Sequence, residues 1–203
     1  MDFFLDTGLL ESEVSSFIRI YRSGVDAVHK VASNINSAHW SNSTPCDRWS
    51  AIDVLRHLEI TATDAVESLN IAKRAGPNQI MEEADLAVFN ERALRMLPRH
   101  PPRDHLQRFY SAAMLYLEMV GAEPNKPCYT YKESIWAAID SLGVLAVEWH
   151  VHAWDLAAAT KAIYSPVEPA TLARAFHRGM PYLRPPTDSS WIAVLSACGR
   201  TPA

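Results

Sequence analysis

Apolar positions recur along this chain every three to four residues over long stretches, with few turn signals inside them. The first such stretch runs from about Leu9 to Ile35. There Val14, Phe17, Ile18, Tyr21, Val25, Val28 and Val31 mark one face of a helix, and Asp6 or Thr7 is placed to cap it. A polar connection, Asn36 to Arg48, follows. Ser50 then caps a second helix with Asp53 at the capping-box position; this helix carries Ile52, Leu55, His57, Leu58, Ile60, Ala65 and Leu69 and ends near Gly76-Pro77. Residues 78–100 are more charged, and Ile80, Leu86, Phe89, Leu94 and Leu97 predict one helix or a broken pair, stopped by His100-Pro101-Pro102. A third long helix is expected from about Arg103 to Gly121, along Leu106, Phe109, Tyr110, Ala113, Leu117 and Val120. After a loop with two prolines, a fourth spans about Lys132 to Lys161.

Beyond Ser165-Pro166 the pattern shortens. Pro169 to Leu183 reads as a short helix, Pro185-Pro186 breaks it, and Ser190 to Cys198 reads as another. About 40 residues are too few for a separate domain, so residues 166–203 are expected to pack as a helical extension on a bundle formed by residues 1–165. The expected fold is all-α: a four-helix bundle with short C-terminal helices.

Composition agrees with this and narrows the function. The 203 residues are 48% hydrophobic, enough for one packed core, and only 7 are glycine. The net charge of −4 and the lack of a basic run argue against nucleic acid as a partner. No apolar run is long enough for a membrane span, and Met1 to Leu10 holds Asp2 and Asp6 but no basic residue, unlike a secretory signal. Three scattered cysteines, Cys46, Cys128 and Cys198, form no disulfide framework, which favours the cytoplasm.

One segment does not fit a plain apolar helix. Glu148-Trp149-His150-Val151-His152-Ala153-Trp154-Asp155 sets a carboxylate and an imidazole four residues apart on one helix face. Unpaired there, each would cost about 2–7 kcal/mol. A divalent metal would satisfy both if a third ligand came from another helix, and His57, among Leu55, Leu58 and Ile60, is the candidate. Two nitrogens and one oxygen suit zinc or another first-row ion and leave a coordination position open, as catalytic sites do. The plainer alternative is a buried Glu–His ion pair with His57 satisfied separately. His150 points about 200° away from Glu148 and His152 and belongs to another face. Asp53, one turn before His57, and Asp155, three residues after His152, are candidates to orient ligands. Each is equally read as an ordinary surface charge. Cys46 is a loop cysteine with no metal-spaced neighbour, so a catalytic role has little support. Arg174, Arg178 and Arg184 give the tail a basic character that could meet an anionic ligand group, although a solvated helix face explains them as well.

Three blocks carry a resemblance. Ser43-Thr-Pro-Cys-Asp-Arg-Trp-Ser-Ala-Ile-Asp-Val-Leu-Arg-His57-Leu58 resembles the entry to the second helix in mycothiol-dependent maleylpyruvate isomerase-like proteins, of the DinB-like metalloenzyme superfamily. Val147 to Ala157 resembles their E-x-x-x-H-x-W-D-L-A segment, and Trp191 to Pro202 resembles a common terminus of the group. The resemblance implies a DinB-like bundle with a divalent metal, usually zinc, on His57, Glu148 and His152, and mycothiol as cosubstrate. A coordinated thiol loses its proton, and the thiolate is the nucleophile. The isomerase carries a larger C-terminal domain that supplies a basic residue to its substrate; here only about 40 residues follow the fourth helix. The expected activity is therefore metal-dependent S-transfer or thiol exchange onto an electrophilic small molecule, with Asp53, Asp155 and Arg178 as supporting residues. The alternatives are a maleylpyruvate-type cis–trans isomerase and a non-catalytic metal- or small-molecule-binding protein. A homodimer is left open.

Overall fold

The structure is a computed structural model that describes residues 11–81, 83–180 and 183–201. The caps proposed at Asp6 or Thr7 lie outside these residues, as does the stretch compared with a secretory signal. Four long helices form the bundle: α1 (Glu11–Ser33), α2 (Ala51–Ala75), α4 (Pro102–Ala122) and α5 (Ala138–Ala159). α3 (Glu83–Met96) lies against α2, and α6 (Pro169–Gly179) and α7 (Trp191–Ala197) follow α5. The all-α expectation holds.

α5 is the axis. Leu142, Ala146, Trp149, Ala153 and Leu156 are all buried, but so are Ile139, Val147, Val151 and Leu145 on other sides. A helix apolar all round is enclosed all round, with α1, α2, α4 and α6 as its neighbours. α1 comes closest where Gly24 meets α5. A Cβ added at Gly24 would stand 2.9 Å from the Trp149 Cβ and 3.1 Å from the His150 Cδ2. The first of these atoms is fixed to the backbone and cannot swing aside. Gly24→Val should therefore cost about 1–3 kcal/mol through overpacking, seen as a midpoint lowered by roughly 2–4 °C per kcal/mol in a thermal melt of a chain this size.

Three predictions are corrected. The fourth helix begins at Ala138, not Lys132. The six residues before it belong to a hairpin of β2 (Pro127–Tyr131) and β3 (Ser134–Ala137). Lys132 turns this hairpin at φ 53°, and Tyr129 pairs with Trp136 and Tyr131 with Ser134. Asp140 then accepts a hydrogen bond from the Ala137 backbone N–H at 3.0 Å, so the helix starts where its first turn can be capped. Second, the 78–100 segment holds one helix, α3, but β1 (Asn78–Gln79) precedes it and pairs parallel with β2, giving the order β1-β2-β3. Third, α6 stops at Gly179, before the predicted Leu183.

Arg56 ties α3 to the bundle. Its guanidinium donates to the carbonyls of Leu94 at 2.6 Å and Leu97 at 2.8 Å, at the C-terminal end of α3 where carbonyls lack helical partners. No described helix is long and apolar enough to cross a membrane.

Candidate metal centre

His57 comes from α2, and Glu148 and His152 from successive turns of α5. Their ligand atoms all lie within 4.8 Å of one another. His57 and His152 are 6% and 4% exposed, while the Glu148 side chain is 34% exposed and marks the open side. The His152 Nε2 is 3.2 Å from the Glu148 Oε2, and its Nδ1 is 2.9 Å from the Asp155 Oδ2. A carboxylate accepts, so Nδ1–H is the donor to Asp155 and Nε2 is the atom turned toward Glu148 and His57.

Asp155 is itself held. The Arg200 guanidinium donates through Nη2 to Oδ2 at 2.7 Å and through Nε to Oδ1 at 3.2 Å. The side chain of Arg200 is anchored by a 2.7 Å bond from Nη1 to the Cys198 carbonyl, just past α7. The chain Arg200–Asp155–His152 thus fixes the ring and tautomer of a candidate ligand from behind. Burial favours the uncharged form of Asp155, but the bonds from His152 and Arg200 outweigh it and hold the carboxyl below its ordinary range.

The three candidate ligands divide their charge unequally. Burial, with His152 nearby, pushes His57 down to about 3, so its imidazole is neutral. Burial also opposes charge on His152, yet the hydrogen bonds to Asp155 and Glu148 prevail and raise it to about 9. Burial favours protonated Glu148, but the bond from His152 prevails and lowers it to about 2. This is a cluster with carboxylate charge facing two imidazoles, one of them without a strong partner. The His57 Nδ1 is buried with no hydrogen-bond partner, and its Nε2 has only the Thr61 hydroxyl at 3.3 Å.

The same bundle holds a contrasting pair. Glu59 on α2 and His105 on α4 are both buried, with the Glu59 Oε2 2.5 Å from the His105 Nδ1. The His105 Nε2 accepts the His100 backbone N–H at 3.2 Å, and Arg108 stands 3.7 Å from the other Glu59 oxygen. Every hydrogen-bonding atom of that imidazole is used. His57 differs: it is a neutral imidazole with an unused nitrogen beside a second imidazole and a carboxylate. That donor set fits a divalent first-row ion.

A second group, Cys46 with His152 and Asp155, also brings its ligand atoms within 4.8 Å. It is the poorer donor set. Asp155 already serves Arg200 and His152, and burial pushes the Cys46 thiol up to about 11, away from the thiolate a metal takes.

The loop before α2 builds the wall over the triad. Thr44 donates through Oγ1 to the Trp49 carbonyl at 2.9 Å, and the Trp49 N–H donates to the Cys46 carbonyl at 3.1 Å. Arg48 takes φ 65° to make the tight turn. Trp49 is thereby set 4.7 Å from the His57 ring and 6.3 Å from the His152 ring, centroid to centroid.

Other sequence candidates have other partners. Asp53 accepts from the Ser50 N–H at 3.2 Å and from its hydroxyl at 2.5 Å, and lies 3.6 Å from Arg56. Arg178 pairs with Asp140, two turns before Glu148 on α5. Arg174 bonds Thr171 within α6. His150 faces α1: Nε2–H donates to the Ile20 carbonyl at 3.0 Å, and Nδ1 accepts from the Tyr164 hydroxyl. Burial pushes it down to about 4, so it stays neutral.

Residues 21–157 match the sequence profile of the family described as the mycothiol maleylpyruvate isomerase N-terminal domain. The chain belongs to this family. Among solved structures, a mutant of the mycothiol-dependent maleylpyruvate isomerase shares the fold, with a TM-score of 0.60 and 15% identity over 80% of this chain and 67% of that one. No curated protein sequence matches significantly. This chain is thus a DinB-like protein related to the mycothiol-dependent maleylpyruvate isomerase. The profile takes in α2 and most of α5, hence all three candidate ligands, but stops short of Arg200, which arrives from the segment beyond it.

Arg200 is the residue of the site that the helical pattern missed. Its only signal was its place in the terminal block resembling the family. Arg200→Ala should weaken zinc binding by about 10–100-fold, measured by competition with a chromogenic chelator. Arg200→Lys should recover little, because an ammonium cannot hold both oxygens of Asp155 in a fixed fork.

Proposed function

We propose that this chain is a metal-dependent thiol S-transferase or thiol-exchange enzyme using mycothiol, with His57, Glu148 and His152 holding a divalent ion, zinc by its donor set. The observation that carries the reading is the buried, unpartnered nitrogen of His57 beside Glu148 and His152 in a family named for a mycothiol enzyme. A bound ion would supply Lewis acidity there and favour the thiolate of a thiol that reaches it. Asp155 and Arg200 hold the His152 ring through Nδ1–H, so that Nε2 is the atom that would take the ion in exchange for its proton, and Trp49 covers the two imidazoles. Access is from the Glu148 side. In the transfer, the thiol releases its proton to solvent, a bond forms between sulfur and the electrophilic carbon, and the bond to the leaving group breaks with its electron pair.

Residues 1–165 form the metal-bearing bundle in this reading, and 166–203 the extension that braces it. Three free cysteines suit a reducing cytoplasm. The test is mass spectrometry of zinc-loaded protein incubated with mycothiol and a panel of electrophiles. Accumulation of mycothiol conjugates above the protein-free rate supports transfer. The kinship with the isomerase supports a second reading, cis–trans isomerisation through reversible thiol addition; turnover of maleylpyruvate without any conjugate would select it. Metal binding with no response to thiol would leave a binding protein.

A further inference from the structure

Beside the triad lies a cavity of about 460 Å³, between α2, α3, α5 and the small sheet. That is within the usual range for small-molecule sites. Its lining begins where the triad ends. Thr61, whose hydroxyl is 3.3 Å from the His57 Nε2, lies on one wall, and Val144 and Leu145, one turn before Glu148, lie on another. The remainder is largely apolar: Ile60, Ile80, Leu86, Phe89 and Trp136 all face it. Phe89 and Met81 are 38% and 42% exposed, a large apolar surface left uncovered at the α3 side.

Its charge is one-sided. Asp64 and Glu67, one turn apart on α2, supply the ionisable carboxylates, and no lysine, arginine or histidine is among the described lining residues. Two arginines stand next to the lining and both are engaged: Arg74 lies 3.4 Å from the exposed Glu67 carboxylate, and Arg178, next to lining Gly179, is paired to Asp140. A dicarboxylate would meet the Asp64 carboxylate and find no unpaired cation among the described lining residues, whereas a neutral apolar molecule would cover Phe89 and Met81.

We propose that this cavity is the acceptor site, and that it takes an uncharged, apolar small molecule rather than an anionic one. As an acceptor site it rests on the thiol-transfer reading above; as a binding site it does not. Arg56, by bonding the C-terminal carbonyls of α3, holds Leu86 and Phe89 over the cavity, so α3 sets what the site accepts.

The test uses two fluorescent probes that differ by one charged group, neutral N-phenyl-1-naphthylamine and its sulfonated relative 8-anilinonaphthalene-1-sulfonate, titrated into the whole chain. The neutral probe should bind at least about tenfold more tightly, and Asp64→Asn combined with Glu67→Gln should narrow that gap. Ser68 on α2 also lines the cavity, and Ser68→Phe, placing a ring there, should abolish binding of the neutral probe. Phe89→Ala, at a half-exposed position that folding tolerates, should weaken it by about tenfold. The neutral probe should also compete with a neutral electrophile such as 1-chloro-2,4-dinitrobenzene. Equal affinity for the two probes would overturn the proposal. So would unchanged titrations for both Ser68→Phe and Phe89→Ala with native circular dichroism. The visible spectrum of the cobalt-substituted protein, read in parallel with and without mycothiol, separates the two claims. A spectrum that shifts with thiol while the probes ignore the cavity variants removes the cavity proposal alone. A probe sensitive to those variants with a spectrum indifferent to thiol removes the transfer reading and the acceptor role, and leaves the cavity's ligand class standing.

Discussion

His57→Ala should leave a folded protein that holds no stoichiometric metal. Wild-type protein prepared without chelator should carry about one equivalent of zinc or a similar ion, measured by mass-spectrometric metal analysis, and the variant close to none. Stability of the metal-free form should move the other way from most buried substitutions. The His57 Nδ1 has no partner and burial pushes the ring to neutrality, so the metal-free protein loses no strong hydrogen bond with this side chain. A midpoint equal to or above that of metal-free wild type is expected. His105→Ala should show the reverse, because it takes from the buried Glu59 its short hydrogen bond and leaves it only Arg108, 3.7 Å away. Breaking such a pair costs about 3–5 kcal/mol, and the variant that remains folded should still retain its metal. His152→Ala should combine both losses, since it removes a ligand and takes from Glu148 its hydrogen-bond partner, while Asp155 keeps Arg200. Wild-type protein that stays metal-free when offered zinc would remove the metal centre altogether.

Chelation should be as severe for turnover as His57→Ala is for metal content. Stripping the ion should lower conjugate formation with mycothiol by on the order of a thousandfold, the rate equivalent of several kcal/mol of electrostatic stabilisation. Zinc or cobalt added back should restore it. The loss should be shared by His57→Ala but not by Cys46→Ala. Burial keeps the Cys46 thiol protonated at neutral pH, and the nucleophile in the proposed reaction is the cosubstrate's sulfur. A Cys46→Ala variant as impaired as the chelated protein would contradict that division of roles.

The four long helices could be read from the spacing of apolar residues because α1, α2 and α4 each bury a stripe that repeats over five or more turns, and α5 is a long run apolar all round. The triad was legible for a related reason. Glu148 and His152 interrupt the most apolar helix of the chain, and a polar pair there needs a partner. What escaped was short or distant. The β2–β3 hairpin places Tyr129 and Tyr131 on a strand of five residues, too short for alternation to stand out beside the strong helical run that follows. β1 has two residues and exists only because β2 pairs with it. Glu59 did carry a signal, since it falls on the same stripe as Leu55 and Ala62; its partner His105 lies 46 positions away and could not be inferred. Arg200 meets Asp155 across 45 positions, and no local pattern marks such a contact.

The grip of Arg200 on Asp155 has a thermodynamic counterpart. Coupling between two events is reciprocal, so any factor by which the docked arginine tightens an ion at His152 is returned by that ion to the docking of the arginine. The segment after α6 would then act as a gauge of occupancy. Backbone amides of Val194, Leu195 and Cys198 should exchange with deuterium more slowly in the zinc-loaded protein than in the stripped one. The difference should vanish in Arg200→Ala, linking the last described turn of the chain to the chemistry of its central helix.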